Sequence, residues 1–250
     1  MKTKVGKHTI ELADGIDTLS VRRYQVYTRM LLVDAGIGSD LAAFDTHLQK
    51  VQAFIRKGDA DNAVKELENT RHNVYMMQEG INPTMLAFAA LVTAVDGKPT
   101  DDLTDEGLRA VAAKLQDAPI KAVTELAATA KKKIDDEFEA YFPKLADSST
   151  EKEYYLLLKR RALAQIEGMR SGDMSEADRL TGEMLTFAKP KSFSGAENVE
   201  IQHDKNFEKM CIAICKETNA NPKNMTVKEF FSAYEYVKEI TEKTKKNGRS

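Results

Sequence analysis

Tryptophan is missing from this chain of 250 residues, and only two cysteines and six prolines are present. Two cysteines cannot staple a small secreted fold, so the chain must hold itself together by burying apolar surface. No apolar run approaches the ~20 residues that a membrane helix needs. The opening Met1-Lys2-Thr3-Lys4-Val5-Gly6-Lys7 has charge but no apolar stretch behind it, which argues against a secretion signal. No charge of one sign dominates either. The formal net charge is −2. Residues 1–98 carry twelve charges of each sign, 99–190 carry fourteen positive against eighteen negative, and 191–250 eleven against nine. None of these parts has the basic field of a chain built to grip nucleic acid, so sequence-specific DNA or RNA binding is not expected.

Catalytic signatures are equally scarce. Gly36-Ile37-Gly38 lacks the preceding strand and third glycine of a dinucleotide loop, and no phosphate loop or Gly-x-Ser-x-Gly elbow occurs. Cys211, Cys215 and His203 are the nearest approach to a zinc set, but four ligands are wanted and Cys211 falls on an apolar face. Glu68 and His72 are four apart, where a helical di-iron site uses three-residue spacing on two helices. Lys131-Lys132-Lys133 followed by Asp135-Asp136-Glu137 reads as ion pairs along a helix face, and Lys159-Arg160-Arg161 as a solvated face. The expectation is a protein without catalytic or metal-binding residues and without a cofactor.

What the chain does have is helical period. The expected fold is all-α, a multi-helix bundle with a short N-terminal extended segment and a C-terminal helix pair. Thr9, Ile10 and Leu12 suit a strand, turned back on Lys4-Val5 at Gly6-Lys7. Helices are then expected from Asp17 to Ala35, ended by Gly36, and after Gly38-Ser39-Asp40, with Leu41, Phe44, Leu48, Val51 and Ile55 as one face. A third helix presents Ala63, Leu67, Val74 and Met77, and Gly80 stops it. Asn82-Pro83 opens a fourth, and from Met85 to Val95 only Thr93 is polar, which predicts a central helix buried on every side. Thr104-Asp105-Glu106 starts the next with acidic residues in its first turn, Pro119 opens a long one reaching Phe142, and Pro143 stops it. The Ser148–Glu151 capping box launches a helix bearing Tyr154, Leu157, Leu158 and Ala162, ended by Gly172, and Ser175 to Ala188 forms another.

Residues 189–200 hold Pro190, Ser192, Ser194 and Gly195 without helical period and read as a linker. The expected division is therefore a bundle over 1–188, in two lobes at 1–98 and 99–188, and a helix pair over 201–250. Within that pair Phe207, Met210, Cys211 and Ile214 face one way, and Thr226–Glu229 is a second capping box. Val227, Phe230 and Phe231 sit where a DNA-reading helix would carry polar residues, so this is not a helix-turn-helix. The stripe Val227, Phe230, Phe231, Tyr234 and Val237 is too apolar for two helices to bury alone, so it must dock on the chain's main bundle or on another chain, and the apparent linker favours another chain.

Several stretches resemble proteins of tailed bacteriophages, particularly the crAss-like and related phages of gut Bacteroidetes. They are Arg23-Tyr24 leading to Leu31–Asp40, Lys65–Asn69, Leu86–Ala89, Phe138–Pro143 and Met225–Phe231. The resemblance implies a virion structural or morphogenesis protein, such as a ring or connector subunit at the head–tail junction. Its partners would be further copies of itself, the portal, or an adjacent ring or tail protein. The closing helix pair is similar in style to tail or capsid assembly chaperones, which would leave the chain in the host cytoplasm during assembly and out of the particle. A small helical enzyme with an unrecognised site is the remaining alternative.

Overall fold

A computed structural model describes residues 1–33, 40–79, 82–116, 118–146 and 149–247. The stops and caps assigned to Gly36, Gly38, Ser39, Gly80 and Ser148 fall outside these residues, and the Gly36-Ile37-Gly38 loop with them. The chain is 72 % helical, as an all-α reading requires. It divides into two compact units that interleave along the sequence. Unit 1 takes Met1–Val33, Asn82–Ala146 and Glu200–Ser250, and unit 2 takes Asp34–Ile81 and Asp147–Val199.

Unit 1 contains the one described sheet, four antiparallel strands in the order of the chain. Strands β1 (Lys2–Val5) and β2 (His8–Leu12) form the expected hairpin, with Gly6 at φ 60°. The hairpin does not stand alone, because β3 (Val92–Val95) pairs with β2, Ile10 opposite Val95, and β4 (Lys98–Pro99) pairs with β3. This corrects the sequence reading of one helix from Met85 to Val95. The helix stops at Leu91, and β-branched Val92, Thr93 and Val95 continue as strand. Asp96 and Gly97, at φ 51° and 75°, make the two-residue turn that suits a hairpin. The Asp96 carboxylate then accepts the Thr9 N–H at 2.8 Å and meets His8 Nδ1 at 2.7 Å, clamping the turn to β2.

Helices α1 (Val21–Met30), α4 (Pro83–Leu91), α5 (Asp105–Leu115) and α6 (Ile120–Tyr141) build the rest of this core. Two of their first turns are tied by caps: Asn82, read as a cap from sequence, accepts from the Met85 N–H, and Thr104 accepts from the Gly107 N–H. Leu86 to Leu91 are buried all round, as their unbroken apolar run predicts. Arg23 is buried against this core. Its guanidinium donates to the carbonyls of Ala90 (3.2 Å), Val92 (2.7 Å) and Thr100 (2.6 Å), fixing α1 to the junction of α4 and β3. The short α7 (Pro143–Ala146) follows α6 where Pro143 forbids its continuation.

Helices α10 (Val199–Thr218) and α11 (Val227–Asn247) complete unit 1. They are not an appendage behind a linker, and the linear division at 188 and 200 is not the one that packing follows. Two things hold the pair in place. The backbone at the start of α11 is stitched to the segment before α1, with Val227 N–H on Leu19 O (2.8 Å), Lys228 N–H on Ile16 O (2.9 Å) and Val21 N–H on Met225 O (3.0 Å). Val21 of α1 also joins Phe207, Cys211, Ile214, Phe230 and Val237 in one apolar cluster.

Unit 2 is made of α2 (Leu41–Arg56), α3 (Ala60–Gln78), α8 (Ser149–Ser171) and α9 (Ser175–Leu185). Asp40 and Asp59 cap α2 and α3, and Gly172 at φ 81° ends α8. Its core is sparse. The buried apolar side chains are Val51, Ala53, Phe54, Ala63, Leu157, Ala177 and Leu180, seven of the thirty-nine in the described chain.

Candidate protein-interaction surface

The expected interface stripe on α11 lies inside unit 1. Val227 and Phe230 are fully buried and Val237 nearly so. Phe230 stacks on Phe207 with centroids 5.5 Å apart. Phe231 and Tyr234 are half-buried, and Phe231 stands edge-on to Phe138 at 4.8 Å and to Tyr24 at 6.0 Å. The stripe was read correctly as too apolar for two helices alone. Its cover comes from α1, α6 and α10 of the same unit, which a reading by chain order could not supply.

Other candidates also resolve into structural roles. The Cys211 thiol sits in the apolar cluster, where burial pushes its pKa up to about 11, far from a nucleophile's range. Cys215 is exposed, and His203 Nε2 meets the Thr28 hydroxyl at 3.0 Å. Among the described residues, no three His, Cys, Asp or Glu side chains come together to hold a metal. His72 stacks on Phe193 at 4.2 Å, and burial lowers its pKa. Lys131 pairs with Asp135 and Lys132 with Asp136 along α6, while Lys133 reaches Asp14 at 2.9 Å. A groove of about 510 Å³ is lined by Arg22, Arg29 and Lys223 together with Asp101, Asp102, Asp204 and Glu208. Two of its cations are paired within it, Arg29 with Asp204 at 3.8 Å and Lys223 with Glu208 at 2.6 Å.

The open surface is on unit 2. Nineteen large apolar or aromatic side chains are exposed among the described residues, and thirteen belong to unit 2. Eight of these are on α8 and the turn after it. The helix is built with two unlike edges. Leu157, Arg161, Ala164 and Gly168 repeat at four, three and four residues and are buried or half-buried. Arg161 Nε donates to Thr181 of α9 at 3.1 Å. Gly168 lets the chain fold back tightly, since a Cβ there would stand 2.7 Å from Asp173 O and 2.6 Å from Met174 Sδ.

The other edge carries Tyr155, Leu156, Leu163, Ile166 and Met169, each 59–71 % exposed. The sequence reading names Tyr154, Leu157, Leu158 and Ala162 as the apolar residues that this helix bears. Only Leu157 is buried, because the crossing with α9 leaves room for small residues and not for a row of large ones. Leu156 and Leu163 are seven apart, and so are Lys159 and Ile166, interleaved at three and four residues. This is the spacing of a helix that packs lengthwise along another helix. The signal lay in the sequence as two overlapping stripes on one helix.

None of the described helices is long and apolar enough to cross a membrane. Compared with protein-family models, with curated proteins and with solved structures, the chain has no match.

Proposed function

We propose that this chain is a non-enzymatic assembly protein that works by presenting the exposed edge of α8 to another protein chain. The observation that carries the reading is the contrast between the units. Among the described residues, unit 1 buries thirty-two apolar side chains and exposes six large ones, whereas unit 2 buries seven and exposes thirteen. A row of large apolar side chains left open along one edge of a helix marks a protein interface rather than ordinary solvent-facing surface. The buried and inert Cys211 and the self-paired charges of the groove support a non-catalytic role.

The resemblance to tailed-phage proteins gives this reading its most specific form, a ring or connector subunit of the virion. An assembly chaperone is the second form, and α8 serves it equally well. Mass spectrometry of purified particles, from a phage encoding this chain, tests both. A virion subunit is present in stoichiometric copies, and Leu163→Glu removes it from the particle without unfolding the chain. Absence from particles, with retention on an assembly intermediate that Leu163→Glu abolishes, favours the chaperone. A Leu163→Glu variant that enters particles and intermediates at the wild-type level refutes the proposal.

A further inference from the structure

The exposed edge of α8 has a charge order that selects its partner. We propose that it pairs with α8 of a second copy of this chain, antiparallel, about a two-fold axis beside Leu163. This rests on the reading of α8 as an interface and names what covers it.

The helix is 23 residues long, about 34 Å, long enough for a lengthwise pairing of several turns. A closed two-fold pair needs a surface that complements itself. The α8 edge does so in one direction only. With the axis at Leu163, Leu163 meets its own copy. Lys159, the charge that interrupts the apolar edge, comes to lie beside Glu167 of the second copy, and Glu167 beside Lys159 of the second copy. Arg160 falls within reach of the same carboxylate. Leu156 comes beside Arg170, whose aliphatic stem can lie over it while the guanidinium reaches water. Two cation–carboxylate sets are therefore formed symmetrically at the flanks of an apolar centre.

A parallel pairing in register would put Lys159 against Lys159 and Glu167 against Glu167, and like charges facing across a helix pair oppose association. Glu167 holds Arg170, at 2.8 Å on the open surface. That pair is weak and does not prevent a second cation from sharing the carboxylate. The polar residue within the stripe thus has a use: it sets direction and register.

The test uses the full chain and light scattering for mass. The wild type should run at twice 27.9 kDa. Lys159→Glu or Glu167→Lys should raise the dimer dissociation constant tenfold or more, and the double exchange should recover most of the loss. Direction is read by oxidative cross-linking in a Cys215→Ser background, which leaves Cys211 buried. Leu163→Cys should form a disulfide dimer, and Leu156→Cys, placed away from its own copy, should not. Circular dichroism should be unchanged throughout, because all these positions are exposed. Cross-linking at both positions, or no recovery in the double exchange, overturns the antiparallel pairing. A wild type that stays monomeric at 100 µM overturns self-association altogether. If that monomer still loses its place in particles or intermediates on Leu163→Glu, the interface reading stands and the second-copy proposal alone falls.

Discussion

Replacing Phe230 with alanine should destabilise the whole of unit 1, not release two terminal helices. Phe230 is 0 % exposed. Its ring lies 5.5 Å from Phe207 and 5.3 Å from Phe231, centroid to centroid. Both helices of the terminal pair, and Val21 of α1, contribute to the cluster around it. Truncating such a ring costs about 3–5 kcal/mol, the lost transfer energy plus the cavity left behind. Against a typical total of ~5–15 kcal/mol that is about a fifth or more of the stability of a domain. For a unit of this size the melting temperature should fall by roughly 6–20 °C. The chain has no tryptophan, so near-ultraviolet circular dichroism and tyrosine fluorescence in urea are the natural probes. Hydrogen exchange then localises the effect. Amides of α4 and β3 should lose protection together with those of α11, because Val227 and Lys228 are bonded to Leu19 and Ile16. A loss below ~1 kcal/mol, or exposure of α10 and α11 with α4 and β3 still protected, would refute the argument and restore the helix pair as an appendage.

Three further outcomes follow from the same structure. Arg23→Met should cost about 1–3 kcal/mol in urea unfolding, since it takes a buried donor from the carbonyls of Ala90, Val92 and Thr100, of which Val92 O keeps the Thr100 hydroxyl. A loss under ~1 kcal/mol would mean that those carbonyls find other partners. Gly168→Ala should destabilise the turn between α8 and α9 by about 1–3 kcal/mol, because the new methyl meets Asp173 O, which cannot swing aside as a side chain would. An unchanged midpoint would show that the crossing is looser than described. In the second capping box the Thr226 N–H and then the Thr226 hydroxyl hold the Glu229 carboxyl below its ordinary pKa of 4.5. A depressed folded value means that its contribution is complete above pH 4.5 and fades as pH falls through the folded value. Glu229→Gln should therefore flatten the acid limb of a stability–pH curve and leave its shape above pH 6 alone. An identical acid limb in the two proteins would remove Glu229 from the account.

Helix ends were the most legible feature of the chain, because each rests on local chemistry. Asn82, Thr104 and Thr226 bond the backbone N–H groups that their spacing predicts, and Pro143 and Gly172 stop α6 and α8. The apolar run from Met85 to Val95 was misread because a short buried strand and a buried helix share one pattern. The discriminating signal is Asp96-Gly97 after a β-branched run, a hairpin dipeptide. The division into units was illegible for another reason. Residues 189–200 look like a linker, yet the packing partners of α11 are α1, α6 and α10, and no linear composition reveals that. The exposed edge of α8 was hidden by the assumption that the more apolar side of a helix faces inward.

Helix α3 breaks the same assumption, and its buried side gives the last prediction. Glu66, Asn69, Thr70 and Asn73 are buried with Ala63, while Val64, Leu67 and Tyr75 are exposed. The sequence reading had placed Leu67 on the packed face. The polar side faces inward because it is satisfied there. His47 of α2 bonds the Glu66 carboxylate through Nδ1, Thr70 donates to Glu66 O at 2.7 Å, and Asn73 donates to Asn69 O at 2.6 Å. A buried pair of this kind contributes little net stability over an apolar pair of similar size, since desolvation offsets the attraction, yet removing one partner is severe. Glu66→Leu and His47→Leu should therefore each cost about 3–5 kcal/mol, and the double variant should return to within ~1–2 kcal/mol of the wild type. What the double variant should lose is register. With the polar pair gone, α3 can rotate to bury Leu67 and Val64, which hydrogen exchange would show as altered protection along α3 at nearly unchanged stability. Single costs that simply add in the double variant would mean that His47 and Glu66 do not act as a pair. Native protection along α3 in the double variant would mean that the pair does not choose which face is buried.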